Sequence, residues 1–341
     1  MRKIGYAIVG CGMIAQFHIN AIRTLEDACV VGVFDVNYQR ALAFAEENKT
    51  RAFETEIQMW QDGLVEAVCI CTPSGLHYRQ AMAALEHGKH VLVEKPMALD
   101  LESCDKLIAA AEERNLLLGT VSQLRFSPAV QQVKKAVQSG ALGPLICADL
   151  YMKFHRSQAY YDSSNWRGTW EMDGGGALMN QGIHGVDLLQ YIAGPVKSVF
   201  ARAGTLARNI EVEDTLSAVV EFSQGAIGVI QATTSMYSGF SRRLELNGQK
   251  GTIILEEDKI LLWDVAEHDN MWEDVQGNTE FCSRSNPAQI GVGGHVRQLA
   301  NFTAAVAGHG KLLVDGVEGR KTLEIILAAY ESNRNGRPIC L

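Results

Sequence analysis

The chain opens with Ile4-Gly5-Tyr6-Ala7-Ile8-Val9-Gly10-Cys11-Gly12-Met13-Ile14-Ala15, an apolar run that leads into a G-x-G-x-x-A turn. The apolar run predicts a buried strand, and the residues after the turn predict a helix as far as Leu25. Such a turn binds a dinucleotide because Gly10 permits the tight bend, Gly12 lets the backbone approach the pyrophosphate, and Ala15 allows close packing of helix on strand. The positive end of the helix would face the phosphates. We therefore expect cofactor contacts from the residues of this turn, Gly10, Gly12, Met13 and Ile14.

A second strand, predicted over Val30-Val31-Gly32-Val33-Phe34-Asp35, ends on an acidic residue. A G-x-G-x-x-A turn by itself is as often an ordinary tight turn, but here the strand before it, the helix after it and the acid about twenty residues beyond it are all present. The Asp35 carboxylate could accept hydrogen bonds from an unmodified ribose 2′-hydroxyl and would repel a 2′-phosphate. The sequence therefore favours NAD over NADP.

Length, composition and charge narrow the class of protein. The 341 residues are enough for two domains, and a content of 47% hydrophobic and 21% charged residues is typical of a globular protein. The formal net charge is −8 and Lys and Arg form no run, which argues against a nucleic-acid partner. The sequence contains no signal-peptide pattern and no apolar stretch long enough to span a membrane. We expect a cytoplasmic protein with no membrane partner.

The eight cysteines are scattered and form neither a C-x-x-C pair nor a cluster with histidine. This pattern favours small buried thiols in a reducing compartment over a zinc or redox site, and no metal is expected. The cysteines lie at positions 11, 29, 69, 71, 104, 147, 282 and 340.

Strands and helices alternate in the first third of the chain, which predicts a doubly wound parallel α/β sheet of the Rossmann type over residues 1–122. The further strands are predicted at Ala67–Cys71, His90–Glu94 and Leu116–Val121, with helices at Arg40–Asn48, His77–His87 and Leu101–Arg114.

Residues 123–341 have a different sequence pattern, in which longer strands of alternating polarity are joined by short turns. They predict an α+β domain with an open, mostly antiparallel sheet, for substrate binding and oligomerisation. The predicted strands are Ile146–Phe154, Val196–Thr205, Leu216–Phe222, Ala226–Thr233, Arg242–Leu246, Gly251–Leu255 and Ile260–Trp263.

Two segments carry residues suited to chemistry. Glu94-Lys95-Pro96 lies just beyond the carboxyl end of a predicted strand, where ligands bind in doubly wound sheets, although an exposed loop with an incidental ion pair is equally compatible. Asp173-Gly174-Gly175-Gly176 precedes a predicted helix on which Asn180 and His184, four residues apart, would share one face. A helical histidine is more often a core residue, but the triple glycine and the amide beside it favour a functional site.

These and other motifs run through nearly the whole chain in one order. They are the glycine turn, Cys71-Thr72-Pro73-Ser74-Gly75-Leu76-His77, Glu94-Lys95-Pro96, Gln123-Leu124-Arg125-Phe126-Ser127-Pro128, Trp166-Arg167-Gly168, the glycine-rich segment to Asp187, and Asn333-Arg334-Asn335-Gly336-Arg337-Pro338. In this combination the chain resembles the Gfo/Idh/MocA oxidoreductases. The resemblance implies a Rossmann domain followed by an open-faced sheet, with the substrate held between that sheet and the nicotinamide.

The resemblance also implies roles for individual residues. Lys95 would be the catalytic lysine, followed by an often-cis bond to Pro96, and His184 would be the proton-transfer residue. Asn180, where many members have aspartate, would bind substrate without ionising. Further cofactor contacts would come from Asp35, Thr72, Pro73, His77, Glu94, Lys95, Gln123, Trp166 and Arg167. Substrate contacts would come from Lys95, Arg125, Lys153, Arg167, Asn180, His184 and His295.

Oxidation of a secondary alcohol requires a base for the hydroxyl proton and a cation or donor for the developing alkoxide. Histidine suits the base near neutral pH and lysine the cation, but the sequence leaves open which of His184 and Lys95 takes the proton. An aromatic and basic set suits a polyhydroxylated ring or one with an anionic group, although core or subunit packing explains Tyr160, Tyr161 and Trp166 equally well. Its members are Lys153, Arg156, Tyr160, Tyr161, Trp166 and Arg167.

We therefore expect an NAD-dependent dehydrogenase that moves hydride between a ring secondary alcohol of a sugar, glycoside or cyclitol and the nicotinamide. Glucosides, inositols and nucleotide sugars all remain open as substrates. The alternatives are a redox-neutral glycoside-processing enzyme with bound NAD and a non-catalytic sensor of dinucleotide and sugar. The open sheet and the resemblance favour a homodimer or homotetramer that pairs through the C-terminal sheet.

Overall fold

The computed structural model describes residues 2–266 and 292–341, so Cys282 and Gly291 lie outside the described residues. The chain forms two compact units. Unit 1 consists of Met1–Gln123 and Val292–Lys321, and unit 2 consists of Leu124–Gly291 and Thr322–Leu341. None of the described helices combines the length and the apolar character that crossing a membrane requires.

Unit 1 contains a parallel sheet in the order β3-β2-β1-β4-β5-β6. The chain runs outward from β1 to one edge and then, from β4, to the other, which is the doubly wound arrangement that the sequence predicts. The carboxyl ends of β1 and β4 therefore lie side by side at the point where the strand order reverses. The strands are β1 Ile4–Val9, β2 Ala28–Phe34, β3 Arg51–Ala52, β4 Ala67–Ile70, β5 His90–Val93 and β6 Leu118–Thr120.

Helices connect these strands, and most begin on a side chain that accepts a backbone N–H. Asn37, Thr55 and Asp100 cap α2, α3 and α5 in this way, which is the usual solution for the free donors at a helix start. The helices are α1 Met13–Arg23, α2 Tyr38–Glu47, α3 Glu56–Gln61, α4 His77–Glu86 and α5 Leu101–Glu113.

Unit 2 contains a second sheet, in the order β13-β12-β11-β7-β10-β9-β8-β14. Neighbouring strands are antiparallel except for β7 and β10, which are parallel. The strands are β7 Leu145–Lys153, β8 Val196–Gly204, β9 Thr215–Phe222, β10 Ile227–Thr233, β11 Arg243–Gly248, β12 Gly251–Glu256, β13 Lys259–Val265 and β14 Ile339–Cys340.

Unit 2 also contains helical elements. They are α6 Pro128–Gln138, α7 Gln158–Asp162, a π-helical turn Ala177–Gly182, called here the π-turn, and α8 Ile183–Ala193. Of these, α6, α8 and the π-turn pack against strands of the sheet. Buried and exposed side chains alternate along β9 and β10, and Val219 and Ile227 are exposed on the same face of the sheet. That two copies of the chain pair through this open face stays a prediction.

Two further helices, α9 Gly293–Val306 and α10 Gly316–Asn335, follow the undescribed segment. The sequence pattern places every residue after 122 in the second domain, whereas α9 belongs to unit 1. The reason is packing: Leu299 and Phe302 join the hydrophobic core built on β1 and α1, and the hydroxyls of Tyr6 and Thr303 are 2.7 Å apart.

A buried ion pair anchors α8 within unit 2. The Arg125 guanidinium, fully buried, donates to both carboxylate oxygens of Asp187 at 2.9 and 2.7 Å, and the Thr322 hydroxyl donates to the same carboxylate at 2.9 Å. Such a bidentate pair fixes orientation as well as distance. It therefore determines how α8 lies against its neighbours.

Helix α8 also approaches the sheet closely, at Gly185. A Cβ at this position would lie 2.5 Å from Met152 Sδ and 2.7 Å from Leu150 Cδ1, two side chains of β7. Because packed cores have few voids, neither side chain can move without displacing others.

We predict that Gly185→Ala destabilises the protein by about 1–3 kcal/mol, because it forces an extra methyl group into this contact. Thermal unfolding followed by circular dichroism should show a lower Tm. Gly63→Ala is the matched control, since Gly63 is exposed and has no atom within 4 Å of a Cβ. An equal Tm for the two variants would contradict the close packing of α8 on β7.

Candidate functional site

The turn after β1 has the backbone that a phosphate-binding loop needs. Gly10 adopts a φ of +92°, and a Cβ there would lie 2.8 Å from Thr72 Cγ2, so only glycine fits. By contrast, the space around Gly12 is open, with no atom within 4 Å of a Cβ position. Gly12 is also the N-cap of α1 and offers no side chain to its free N–H groups. Open space and free donors at a helix start fit a bound pyrophosphate.

The Asp35 carboxylate lies immediately beyond the end of β2. Its Oδ2 accepts the Cys11 N–H at 3.0 Å, and its Oδ1 accepts the Asn37 N–H at 2.8 Å. The side chain is 7% exposed, and Arg40 Nη1 is 3.5 Å from Oδ2. The backbone of the glycine turn thus holds the carboxylate, which retains lone pairs for a ribose diol.

His77 joins the loops that follow β4 and β5. Its Nδ1 is 2.7 Å from the Pro96 carbonyl oxygen, and its Nε2 is 2.8 Å from the Thr72 carbonyl oxygen. The Lys95–Pro96 peptide bond is cis, in agreement with the resemblance. Lys95 is half-buried between the buried residues Glu94 and Pro96. His77 therefore has a structural role, because its ring connects the Thr72 loop to the loop that carries Lys95.

Glu94 lies beside two buried histidines of unit 1. His18 Nε2 is 2.9 Å from Glu94 Oε1, and the His18 ring meets the His295 ring edge-on with centroids 5.5 Å apart. Burial opposes ionisation of Glu94, but the His18 hydrogen bond and charge outweigh it and lower the pKa to about 2. Donor atoms of the three side chains all lie within 4.8 Å of one another, a spacing that could also hold a divalent cation. In the structure, two of these side chains, His18 and Glu94, are hydrogen-bonded to each other.

Several buried polar atoms of unit 1 have no hydrogen-bond partner among the described residues, and two of the groups concerned are predicted site residues. The atoms in these two groups are the side-chain oxygen of Gln123 and both ring nitrogens of His295. A buried polar atom without a hydrogen bond is costly, which indicates that a ligand satisfies it. That Gln123 contacts the cofactor stays a prediction. His295, expected to bind substrate, belongs to unit 1 and lies beside Glu94.

A hydrogen-bonded chain in unit 2 holds Asn180. Its amide nitrogen donates to Asp173 Oδ1 at 2.5 Å, and its amide oxygen accepts from Gln181 Nε2 at 2.8 Å. Gln181 Oε1 in turn accepts from Arg156 Nη2 at 2.9 Å, and Asp173 Oδ2 accepts the Gly168 N–H at 2.9 Å. These contacts fix which end of the Asn180 amide faces which neighbour.

The segment that carries Asn180 and His184 differs from the single α-helix that the sequence predicts. Asn180 lies in the π-turn, and His184 lies in the first turn of α8. The four-residue α-helical spacing therefore does not apply to this pair. Nevertheless, Asn180, Gln181 and His184 are half-buried, whereas the residues at 175–179, 182–183 and 185–190 are buried. The three polar side chains are thus the ones that this segment exposes, and π-helical turns are frequent at functional sites.

Arg167 lies among aromatic rings and hydroxyls of unit 2. Its guanidinium carbon is 4.7 Å from the Tyr160 ring centroid and 5.1 Å from that of Trp166. Nη1 donates to the hydroxyls of Ser163 and Ser164 at 2.5 and 3.0 Å, while Nε has no partner among the described residues. A guanidinium that stacks on aromatic rings keeps its positive charge and is suited to an anion.

Two predicted substrate residues are not grouped with Asn180 and His184. Arg125 uses its guanidinium in the buried pair with Asp187. Lys153 lies on the same face of β7 as Tyr151, with Nζ 5.3 Å from that ring centroid. Strand alternation puts this face opposite Met152, the side chain that α8 packs against.

Several site residues carry no sequence signal strong enough to find them. His18 lies in a helix that reads as amphipathic, and Gln181 follows Asn180 without a motif of its own. Asp173 precedes the triple glycine, which is a usable signal. Glu213 and Tyr330, which contact the start of the π-turn, lie 37 and 154 residues from Gly176 in sequence, so only the fold reveals them.

Comparison with known proteins gives similarity along the whole chain. Two family models match, one described as an oxidoreductase family, NAD-binding Rossmann fold, at residues 4–121, and one as a GFO/IDH/MocA C-terminal domain, at residues 130–254. A solved structure of the WlbA dehydrogenase from Bordetella pertussis, in complex with NADH and UDP-GlcNAcA, is 35% identical and has a TM-score of 0.92. It covers 100% of this chain and 98% of its own.

Two curated relatives show weaker similarity over the same extent. The 1,5-anhydro-D-fructose reductase of Ensifer adhaerens is 27% identical over 97% of each chain. The myo-inositol 2-dehydrogenase of Thermotoga maritima is 25% identical over 98% of this chain and 97% of its own.

We predict that Asp35→Ala weakens NADH binding about 10- to 100-fold, since hydrogen bonds to a charged group contribute about 1.5–3 kcal/mol. NADPH binding should change less, because the carboxylate that repels a 2′-phosphate is gone. Isothermal titration calorimetry with both nucleotides measures the ratio. Asp27→Ala, preceding the other end of β2, is the control and should leave both affinities within twofold. An unchanged NADPH-to-NADH ratio in Asp35→Ala would contradict the assigned role.

We predict that His295 makes the protein less stable as the pH falls from about 6.5 to 4. Burial, reinforced by the charge of His18, lowers the pKa of His295 to about 4, although Glu94 opposes this. As the pH falls, His295 is therefore protonated in the unfolded chain before it is protonated in the folded one. This lowers the free energy of unfolding by about 3 kcal/mol at pH 4.

The measurement is the difference in Tm between pH 7.5 and pH 5.0. His295→Asn should reduce this difference, because it removes the group that titrates in the unfolded chain. His309→Asn, an exposed histidine of the same unit, should leave it unchanged. Equal differences in wild type and His295→Asn would show that His295 is not held neutral.

Proposed function

Because the chain belongs to the GFO/IDH/MocA family, whose members include NAD-dependent sugar and cyclitol dehydrogenases, we propose that it oxidises a ring secondary alcohol of a nucleotide-linked sugar acid. The observation that carries this proposal is the polar surface of unit 2. There the half-buried Arg167, stacked on Tyr160 and Trp166, lies in the same unit as the half-buried Asn180 and His184. The likeness to a dehydrogenase solved with UDP-GlcNAcA, whose sugar carries a carboxylate, supports the same substrate class.

His184, Lys95 and Asn180 each have a separate role in the proposed reaction. NAD, when bound, supplies the hydride acceptor. His184, an imidazole that ordinarily titrates near pH 6.5, removes the hydroxyl proton of the sugar. Lys95, ordinarily charged at neutral pH, supplies the cation that a developing alkoxide needs. Asn180, oriented by Asp173 and Gln181, donates to or accepts from a substrate hydroxyl.

In this proposal, Arg167 makes the enzyme prefer a sugar with a carboxylate over the same sugar without one. A guanidinium attracts a carboxylate through its charge and its N–H groups. Because Arg167 already stacks on Tyr160 and Trp166, it loses little conformational freedom when it binds a ligand. Arg156 is almost fully buried and contacts Gln181, so it supports the Asn180 amide instead.

The experiment is an NADH assay with UDP-GlcNAcA and, as comparison substrates, UDP-GlcNAc, a methyl glucoside and myo-inositol. We expect kcat/KM for UDP-GlcNAcA to exceed that for UDP-GlcNAc by about 10- to 100-fold, the value of one charge-assisted contact. Arg167→Met should abolish this preference, while Arg202→Met, an exposed arginine of the same unit, should retain it. His184→Ala should lose at least about 100-fold in kcat.

Other outcomes identify the alternatives. Turnover of the glucoside or of inositol above UDP-GlcNAcA would replace the proposed substrate class and leave the dehydrogenase assignment in place. Cleavage of a glycosidic bond without net NADH would indicate the redox-neutral enzyme. Binding of NAD and sugar without any turnover would indicate a sensor. Near-normal turnover by His184→Ala would overturn the assigned base.

A further inference from the structure

The backbone N–H groups at the start of the π-turn are accepted by two residues from distant parts of the chain. Glu213 Oε2 accepts the Gly176 N–H at 2.8 Å, and its Oε1 accepts the Leu178 N–H at 2.9 Å. The Glu213 carbonyl oxygen accepts the Ala177 N–H at 2.9 Å. The Tyr330 hydroxyl oxygen lies 3.2 Å from the Met179 nitrogen and accepts its N–H. Four consecutive donors are thus satisfied without any residue of the turn itself.

The two acceptors are also tied to each other. The Tyr330 hydroxyl donates to Glu213 Oε1 at 2.9 Å, so one carboxylate and one phenol form a closed unit, called here the Glu213–Tyr330 clamp. Both residues are at least 95% buried. Burial raises the pKa of Glu213 to about 7, although these hydrogen bonds oppose the shift. Removal of either partner leaves several buried donors unsatisfied.

The clamp explains why the sequence before the π-turn is glycine-rich. A Cβ at Gly176 would lie 1.7 Å from the Glu213 carbonyl oxygen, and a Cβ at Gly175 would lie 2.3 Å from the Tyr330 hydroxyl. Any other residue at these positions would push the turn away from its acceptors. The glycines therefore serve the contact between the turn and the clamp.

We infer that Glu213 and Tyr330 are positioning residues for Asn180 and His184. The turn that they hold contains Asn180 and leads directly to His184, and both of these side chains are half-buried in a segment whose residues are mostly buried. Reaction geometry is sensitive to small displacements, and a shift of about 1 Å can cost about 100-fold in rate. The catalytic part of this inference rests on the proposed function, whereas the structural part does not.

The test uses Tyr330→Phe in the full-length protein, which removes one hydroxyl and leaves the ring. Two readouts need no substrate. Hydrogen exchange measures the amides of residues 176–179, and NMR of protein with 13C-labelled histidine measures the chemical shift and titration of the His184 ring. The control is Tyr6→Phe, which removes an equally buried hydroxyl bonded to Thr303 in unit 1.

We expect Tyr330→Phe to accelerate exchange at Gly176 and Met179 at least about tenfold and to move the His184 resonance or its titration midpoint. Tyr6→Phe should lower Tm without either effect. With UDP-GlcNAcA as the probe substrate, kcat should fall about 10- to 100-fold in Tyr330→Phe. The Kd for NADH should stay within twofold, because the glycine turn and Asp35 belong to unit 1.

A second variant, Glu213→Gln, turns an amide N–H₂ toward donors that a carboxylate accepted, and should give a larger effect of the same kind. Glu211→Gln, an exposed neighbour that accepts only the Trp170 N–H among the described contacts, is its control. If Glu213→Gln does not fold, Tyr330→Phe alone decides.

Unchanged amide exchange and an unchanged His184 resonance in Tyr330→Phe would overturn the inference. A loss of kcat no greater than that of Tyr6→Phe would overturn its catalytic part. If UDP-GlcNAcA is not turned over by the wild type, the proposed function fails, and the two substrate-free readouts still decide whether the clamp positions His184.

Discussion

Backbone N–H groups at the start of a helix must find acceptors, and the two units of this protein meet that constraint in opposite ways. Helix α1 has Gly12 as its N-cap residue, which leaves the first N–H groups of the helix without a side-chain cap. The π-turn has Gly176 as its N-cap residue, and Glu213 and Tyr330 accept the N–H groups there. Glycine serves both sites because it brings the backbone close to an acceptor, a ligand in one unit and the protein itself in the other. One unit therefore keeps its donors for a ligand, and the other uses them to fix its own backbone.

Local sequence is sufficient for most of the architecture. The predicted strand Ile4–Val9 matches β1 residue for residue, and the predicted strands of unit 2 differ from the observed ones by one or two residues at their ends. β1 is a continuous apolar run and the strands of unit 2 alternate between buried and more exposed residues, so their own side chains identify them. The short strand β3, of two residues, escapes such a reading because pairing with β2 determines it.

The candidate site was predictable where a motif implies a backbone shape, and not where partners come from elsewhere in the chain. Gly10, Gly12 and Asp35 are recognisable because their spacing has one physical explanation. The sequence pattern predicts an α-helix where the structure has the π-turn. The difference arises because the turn is held by Glu213 and Tyr330, which no local pattern connects to it. Arg125 looks like a ligand in sequence, yet its charge is used by Asp187, a pairing that only the packed structure reveals.

The membership of α9 in unit 1 has a consequence for how the protein is made. Residues leave the ribosome in order, and domains tend to fold as their last residues emerge. The core around β1 includes Leu299 and Phe302, so unit 1 lacks part of its interior until after residues 124–291 have been synthesised. The dinucleotide-binding half begins the chain and is nevertheless among the last parts to complete its core.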